Sequence, residues 1–268
     1  MRFAIFGNRT AQKSVECENS ISALLQSLGH EILPQDRLSE TDIVISIGGD
    51  GTFLRTAALV GNKGIPMIGI NTGRLGFLAD VTSDRMEEAV RMIHEGRYTI
   101  QQRHLLQLET EGLPAGHTPY ALNDIAILKH DISSMISVSA SIDGTPLTTY
   151  QADGLVIATS TGSTAYSLSV GGPIVAPGSN VTVLTPVAPH SLNMRPMVLP
   201  AARTISLDVS SRSHNFLISI DGRSFSCKEH TPMQIRRAPY FISVIRLEGS
   251  NFYSTLREKM LWGTDARH

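Results

Sequence analysis

The segment Gly48-Gly49-Asp50-Gly51-Thr52 sets a carboxylate in the middle of a glycine-rich turn. Its glycines allow a tight turn and a close approach of the backbone to a ligand. The helical pattern that follows offers unpaired N–H groups and a positive dipole end, which suits phosphate. A carboxylate beside a polyphosphate is repelled, so Asp50 is a poor phosphate holder. It suits the task of a base that takes a proton from a hydroxyl, or of a partner to a metal ion. The same residues also make an ordinary glycine turn with a helix-capping Asp, and spacing alone leaves both readings open. Neither a Gly-x-x-x-x-Gly-Lys-Ser/Thr loop nor a Gly-x-Gly-x-x-Gly turn after a strand occurs, so any phosphate is held by a different device.

Three more segments carry chemistry. Asp153 opens an apolar run, Leu155–Ala158, that leads into Thr159-Ser160-Thr161-Gly162-Ser163-Thr164-Ala165-Tyr166-Ser167-Leu168-Ser169. Hydroxyls and exposed amides bind phosphate and ribose without adding charge, and Tyr166 can stack on a base. A Ser/Thr-rich loop with Tyr166 in the core is the competing reading. Asn123-Asp124 places an amide beside an acid, able to read the hydroxyls of a ribose, or simply to break the chain before the apolar run Ile125–Leu128. Asn71-Thr72-Gly73-Arg74-Leu75-Gly76-Phe77-Leu78 follows a strand and should share a sheet edge with Asp50. Arg74 there suits a phosphate, and Phe77 is either core or a flank for a base.

The elements that must position these residues follow from hydrophobic period. Phe3–Gly7, Asp42–Ile47 and Ile65–Ile70 are short apolar runs, separated by helical patterns over Ser14–His30 and Phe53–Val60 and followed by one over Asp84–Glu95. Strand alternating with helix predicts a parallel sheet with ligands at the carboxyl ends of its strands. From about Tyr98 the period becomes two, as in Ile136–Ile142 and Ile205–Val209, with hairpin signals at Asp143-Gly144 and Asp221-Gly222. We therefore expect an α/β nucleotide-binding domain over 1–98, a β-rich domain over 99–250, and a C-terminal segment over 251–268, helical over Phe252–Trp262, that returns to the first domain.

Composition narrows the classes. The chain has 268 residues, 41% hydrophobic and 18% charged, enough apolar content for a packed core and against wholesale disorder. A net charge of −1 disfavours nucleic-acid binding through bulk charge. No run of about 18 apolar residues marks a membrane helix. Cys17 and Cys227 lie outside any CxxC or metal-ligand spacing, which points to reduced thiols and a cytoplasmic protein.

Together the Gly-Gly-Asp-Gly loop, the Asn123-Asp124 pair and the Asp153-Gly154…Thr161-Gly162-Ser163-Thr164-Ala165-Tyr166-Ser167-Leu168-Ser169 stretch resemble the NAD kinase family, and in the same order. The likeness runs from Ile43 to about Ile220 and includes Asn71–Leu78 and the stretch from Pro186 to Pro196. Gly-Gly-Asp-Gly alone is shared with lipid, sphingosine and phosphofructo-kinases; the Thr-Gly-Ser-Thr-Ala-Tyr stretch narrows the resemblance. It implies a Rossmann-like N-terminal domain with a parallel sheet plus a β-rich C-terminal domain. It also implies transfer of the γ-phosphoryl of ATP to the 2′-hydroxyl of the adenosine ribose of NAD, giving NADP.

By that resemblance Asp50 is the proton acceptor and Gly51 approaches the dinucleotide. Asn123 and Asp124 bind it through ribose and amide contacts, Asp153 meets its nicotinamide side, and Thr164, Ala165, Tyr166, Ser167, Leu168 and Ser169 surround the adenine end. Arg55, Arg74, Phe77, Ser134, Gln151 and Thr161 are further binding positions. No acidic cluster forms an obvious cage, so a divalent cation, Mg²⁺ by preference, is expected to arrive on the ATP rather than on protein ligands. A homo-oligomer, dimer or tetramer, is implied, with no nucleic-acid or membrane partner.

Four features depart from the family pattern. Ser160 stands where many bacterial members have Pro, Asp124 replaces the commoner Glu, Ser134 and Gln151 fall where some place His and Arg, and Arg223 follows Asp221-Gly222 in place of Gln. Two rivals remain at this stage. A lipid or sphingoid-base kinase would use the same glycine loop but needs an apolar cleft or membrane-facing patch. A non-catalytic dinucleotide sensor would not need Asp50.

Overall fold

The computed structural model describes residues 1–7, 11–73, 76–131 and 134–260. The chain divides into two compact units, residues 1–102 with 242–268, and residues 103–241. The crossings, at residues 102–103 and 241–242, fall inside long strands. Neither a turn nor a linker marks them in the sequence, and they differ from the expected boundaries at 98 and 250.

In the first unit, β1 (Arg2–Gly7), β2 (Glu31–Leu33), β3 (Ile43–Ile47), β4 (Met67–Asn71) and the short β5 (Val81–Thr82) pair in parallel. The carboxyl-terminal part of a late strand joins β4, with Val244 opposite Met67. Every residue of β3 and β4 is buried, as expected for strands covered on both faces. Three helices cover the sheet: α1 (Gln12–Ser27), α2 (Asp50–Val60) and α3 (Met86–His94). Ser14, Cys17, Ile21 and Leu25 form the inward stripe of α1, at helical spacing. Gly29 takes φ +77° just past the end of α1, a left-handed stop open to glycine. Helix α2 starts at Asp50, three residues earlier than its apolar pattern suggests, because its first turn lies on the surface and buries nothing before Phe53.

The second unit contains β6 (Tyr98–Thr110), β7 (Tyr120–Ala121), β8 (Asp124–Lys129), β9 (Ile136–Ile142), β10 (Thr145–Ala152), β11 (Gly154–Thr159), a short helix α4 (Tyr166–Ser169), and β12 (Val181–Val187), β13 (Met197–Pro200), β14 (Ile205–Ser210), β15 (Asn215–Ile220) and β16 (Arg223–Lys228). The chain then returns to the first unit along β17 (Met233–Leu247) and ends its described part in α5 (Phe252–Met260). Within the unit, β13-β12-β11-β8-β15-β16 form an antiparallel sheet. Strands β10, β9 and β14 and the first part of β17 form a second antiparallel layer.

Alternation decides what each face does. Ile125, Ile127, Leu155, Ile157, Phe216 and Ile218 point from the first layer, and Ile136, Val138, Ile205, Leu207 and Val209 from the second, into one core. The other face of β8, β11 and β12 offers the smaller Ala126, Val156, Ala158 and Val183, against which Val170 and Val175 pack. Strand β11 is thus buried along its whole length, and it ends in the hydroxyl-rich segment. That segment carries a helix, α4, where the sequence suggests only a loop.

Since Ile157 has no exposed surface at the middle of this sandwich, Ile157→Ala is expected to cost about 2–5 kcal/mol of stability, measured as a shifted midpoint in urea unfolding with an unchanged slope.

Candidate active site

In the first unit the glycine turn emerges from the carboxyl end of β3 and Asp50 opens α2. Its side chain does not cap its own helix. Instead Oδ2 accepts the N–H of Phe77, and Oδ1 accepts those of Leu78 and Ala79, each at 3.0 Å. The capping alternative is therefore replaced by a tertiary clamp between the two glycine-containing segments. A Cβ on Gly76 would stand 2.0 Å from Asp50 Oδ1, so glycine is required there for the carboxylate to enter. The clamped segment is held from its other end as well: Asp80 forms a nearly buried ion pair with Arg246. Asn71 turns the chain after β4, its Oδ1 accepting the Gly73 N–H at 2.7 Å.

A carboxylate offers about four lone-pair positions. Backbone donors take three, which fixes the group in place and leaves Oδ2 able to accept one more. The Asp50 side chain keeps 30% of its surface exposed, so a hydroxyl can reach it. Arg55 is exposed, one turn along α2, and donates to Thr52 Oγ1 at 3.1 Å. Phe77 is half-buried: its ring lies against Phe252 of α5, with centroids 6.0 Å apart. Of its two readings, core and base flank, this face has an aromatic neighbour. Gly51 is exposed at the start of α2. Arg74, read as a phosphate contact, lies outside the described residues.

In the second unit Asn123 and Asp124 stand where β8 begins, both buried. A second Asp clamp organises them: Asp221, in the β15–β16 turn, accepts the N–H groups of Leu122, Asn123 and Asp124 at 2.8, 2.8 and 3.1 Å. Asp221 was legible as a hairpin residue, and its φ of +48° agrees with that turn. Its reach to residues 122–124 has no local signal. Thr159, at the end of β11, completes the frame, donating through Oγ1 to Leu122 O at 2.6 Å and accepting the Gly162 N–H at 3.0 Å. Gly162 abuts the Asn123 carbonyl so closely that a Cβ would come within 2.0 Å of it.

This packing leaves specific groups in contact. The Asp124 carboxyl accepts the backbone N–H of Tyr166; burial, reinforced by the neighbouring charge of Asp221, pushes it up from 3.8 to about 7. Asp221 is also raised by burial, against the pull of its three N–H donors. Burial raises the Tyr166 phenol, with Asp124 and Asp153 adding to the effect. Asn123 Oδ1 is buried without a partner among the described residues, an acceptor suited to a ligand N–H or O–H. The partly exposed ring of Tyr166 and the carboxylates of Asp124 and Asp153 thus gather around one polar locus. Asp153 also pairs with Lys129, 2.8 Å away.

Other candidates serve the frame. Thr161 is buried and its hydroxyl takes a bond from the buried Arg103 at 3.4 Å. Thr164 Oγ1 donates back to Thr161 O at 3.4 Å, and the Ala165 N–H closes the turn on Gly162 O at 2.9 Å. Ser167 is fully buried with its hydroxyl 2.9 Å from that of Thr185, which makes it a packing residue rather than a free binding group. Leu168 is half-buried and Ser169 exposed on α4. Ser134 and Gln151 line a cavity of about 350 Å³ with Ser137 and Arg212. Another cavity, of about 720 Å³, lies beside Glu109, Ser139, Leu207 and Met233 and contains none of the candidate residues. Among the described residues no group of three or more His, Cys, Asp or Glu side chains could hold a metal ion, and no helix is long and apolar enough to cross a membrane. Cys17 and Cys227 are both buried and free.

The chain matches two family models in succession, the ATP-NAD kinase N-terminal domain over residues 4–98 and the ATP-NAD kinase C-terminal domain over residues 122–247. It is 52% identical to an NAD kinase of Bacteroides fragilis, the similarity covering 100% of both chains. With an NAD kinase of Porphyromonas gingivalis it shares 49% identity over 84% of this chain and 78% of the other. Among solved structures, an Archaeoglobus fulgidus NAD kinase in complex with ATP superposes with a TM-score of 0.83 at 26% identity, covering 97% of this chain and 99% of that one. Yeast NADH kinase complexed with NADH shares the fold, with a TM-score of 0.86 at 23% identity over 99% and 89% of the two chains. The chain belongs to the NAD kinase family, and it is a kinase.

Two tests address the second unit. Gly162→Ala forces a side chain against backbone, so about 1–3 kcal/mol of stability should be lost, seen as a lower urea midpoint. Asp124 holds its proton more tightly folded than unfolded. Its contribution to stability is complete below about pH 4 and is lost as pH rises through about 7. Urea unfolding between pH 4.5 and 8 should therefore show a stability that falls with pH, and Asp124→Asn should flatten that slope. An unchanged slope in the variant would contradict the assignment.

Proposed function

We propose that this chain makes NADP by transferring the γ-phosphoryl group of ATP to the 2′-hydroxyl of the adenosine ribose of NAD. The observation that carries the mechanism is the clamped Asp50: an acid fixed by backbone donors, partly open to solvent, with one acceptor position to spare. A ribose hydroxyl is a weak nucleophile at neutral pH. Asp50 orients it and accepts its proton as the 2′-oxygen bonds to the γ-phosphorus. The bond from that phosphorus to the β,γ-bridging oxygen breaks, and its electron pair leaves on ADP. The proton then passes from Asp50 to solvent.

Positioning supplies the larger share of the acceleration and general-base help a further ~10²–10⁴-fold. Asn123, Asp124, Asp153 and Tyr166 bind the dinucleotide. A partly protonated Asp124 can both donate to and accept from ribose hydroxyls or an amide, which a fully ionised carboxylate cannot. The triphosphate would bring its own divalent cation, Mg²⁺ by preference, which would supply charge neutralisation there. The donor set fits a cation carried by the nucleotide's own oxygens, since no group of three or more acidic, His or Cys side chains among the described residues could hold one. Cytoplasmic residence and assembly into a dimer or tetramer complete the reading.

Membership in the NAD kinase family weighs against the lipid-kinase rival, and the cost of holding an acid in this turn weighs against a mere sensor. Incubation of the pure protein with NAD, ATP and Mg²⁺, followed by chromatography, should yield NADP. Asp50→Asn should keep NAD binding, since the amide oxygen can still accept the Leu78 and Ala79 N–H groups, at the cost of the Phe77 bond, while turnover falls by ~10²–10⁴-fold. Near wild-type turnover in that variant would remove Asp50 from the role of base.

A further inference from the structure

Helix α5 brings a cation to the glycine-loop carboxylate. Phe252 and Lys259 sit two turns apart, on one face of α5, and both settle on Phe77. The Lys259 ammonium lies 4.3 Å from the Phe77 ring centroid and 3.6 Å from Asp50 Oδ2. Phe77 thus touches both partners at once, its N–H donating to Asp50 Oδ2 and its ring carrying Lys259.

The geometry of this contact is informative. A charge-assisted hydrogen bond would bring nitrogen and oxygen to about 2.7–2.9 Å. At 3.6 Å the ammonium is held by the field of the carboxylate and by the electron-rich face of the ring rather than by a saturated hydrogen bond. The oxygen it approaches, Oδ2, takes one N–H donor, while Oδ1 takes two. The Lys259 and Asp50 side chains keep 32% and 30% of their surface exposed, so both can be reached from outside. An ammonium has three donors, and most of these remain available to an incoming anion.

We propose that Lys259 is the charge partner that lets Asp50 function beside a triphosphate, its ammonium taking the terminal phosphate oxygens of ATP. The inference rests on the NAD kinase reading above and adds to it a residue outside the recognisable motifs. It resolves the electrostatic difficulty posed by the glycine turn itself, where an acid would otherwise face a polyanion. No bond to Lys259 forms or breaks. The hydroxyl proton still goes to Asp50 and the bridging electron pair still leaves with ADP, while the ammonium stays protonated and compensates charge on the phosphoryl oxygens.

The test is steady-state kinetics of the full-length enzyme, with Lys259→Met, Lys259→Gln and Lys259→Arg compared at saturating NAD and then at saturating ATP. Loss of a charge-assisted contact should lower kcat/KM for ATP by about 10–100-fold in the Met and Gln variants. KM for NAD should stay within about twofold, and Arg should restore most of the loss. Wild-type kinetics toward ATP in Met and Gln variants that fold would overturn the proposal. So would a loss that falls equally on ATP and NAD and tracks a lowered melting temperature, since that is the signature of packing alone. If the wild-type protein forms no NADP from NAD and ATP, the functional reading itself fails, and that failure is visible before any variant is made.

Discussion

Asp50 accepts hydrogen bonds from the N–H groups of Phe77, Leu78 and Ala79, and this contact ties the two glycine-containing segments of the first unit together. Removing the carboxylate would strand three donors, and a stranded buried donor costs about 1–3 kcal/mol. The same contact that orients the acid therefore also shapes the turn around it. The placing of this acid and the local stability are consequently inseparable, and a substitution there reports on both.

The second unit repeats the device. Asp221 gathers the N–H groups of Leu122, Asn123 and Asp124 and so sets the direction of the residues that face the polar locus. Its proximity also discourages ionisation of Asp124. One clamp thus has two effects: it directs backbone, and it tunes the acid it has positioned. Thr159 and Gly162 reinforce the same corner, the first by hydrogen bonds and the second by having no side chain to obstruct the Asn123 carbonyl.

What the sequence made legible was periodic or composed of distinctive residue types. The switch from helical spacing to strict alternation located both kinds of architecture, and the glycine loop, the Asn-Asp pair and the Thr-Gly-Ser-Thr-Ala-Tyr stretch pointed to the family. What stayed hidden was contact between distant positions. Asp50 meets partners 27 to 29 residues away and Asp221 meets partners 97 to 99 residues away, separations at which no local pattern speaks. Ser167 illustrates the opposite error: its residue type suits ligand binding, but the side chain is turned inward onto Thr185. Nothing in the sequence singles out Lys259, since its contacts are with Phe77 and Asp50, far along the chain.

The route of the chain has an implication for how the molecule is made. Residues 242–247 are the last strand to join the parallel sheet, pairing with β4, yet they are synthesised after the whole of residues 103–241. The first unit must leave the ribosome with the Met67 end of β4 lacking a neighbour on one side and Asp80 without Arg246, and wait through the translation of the β-rich unit. At about 5–20 residues per second that interval lasts on the order of ten seconds. During that time the nascent sheet exposes an apolar edge, which makes the early translation product, rather than the finished protein, the form most in need of chaperone protection.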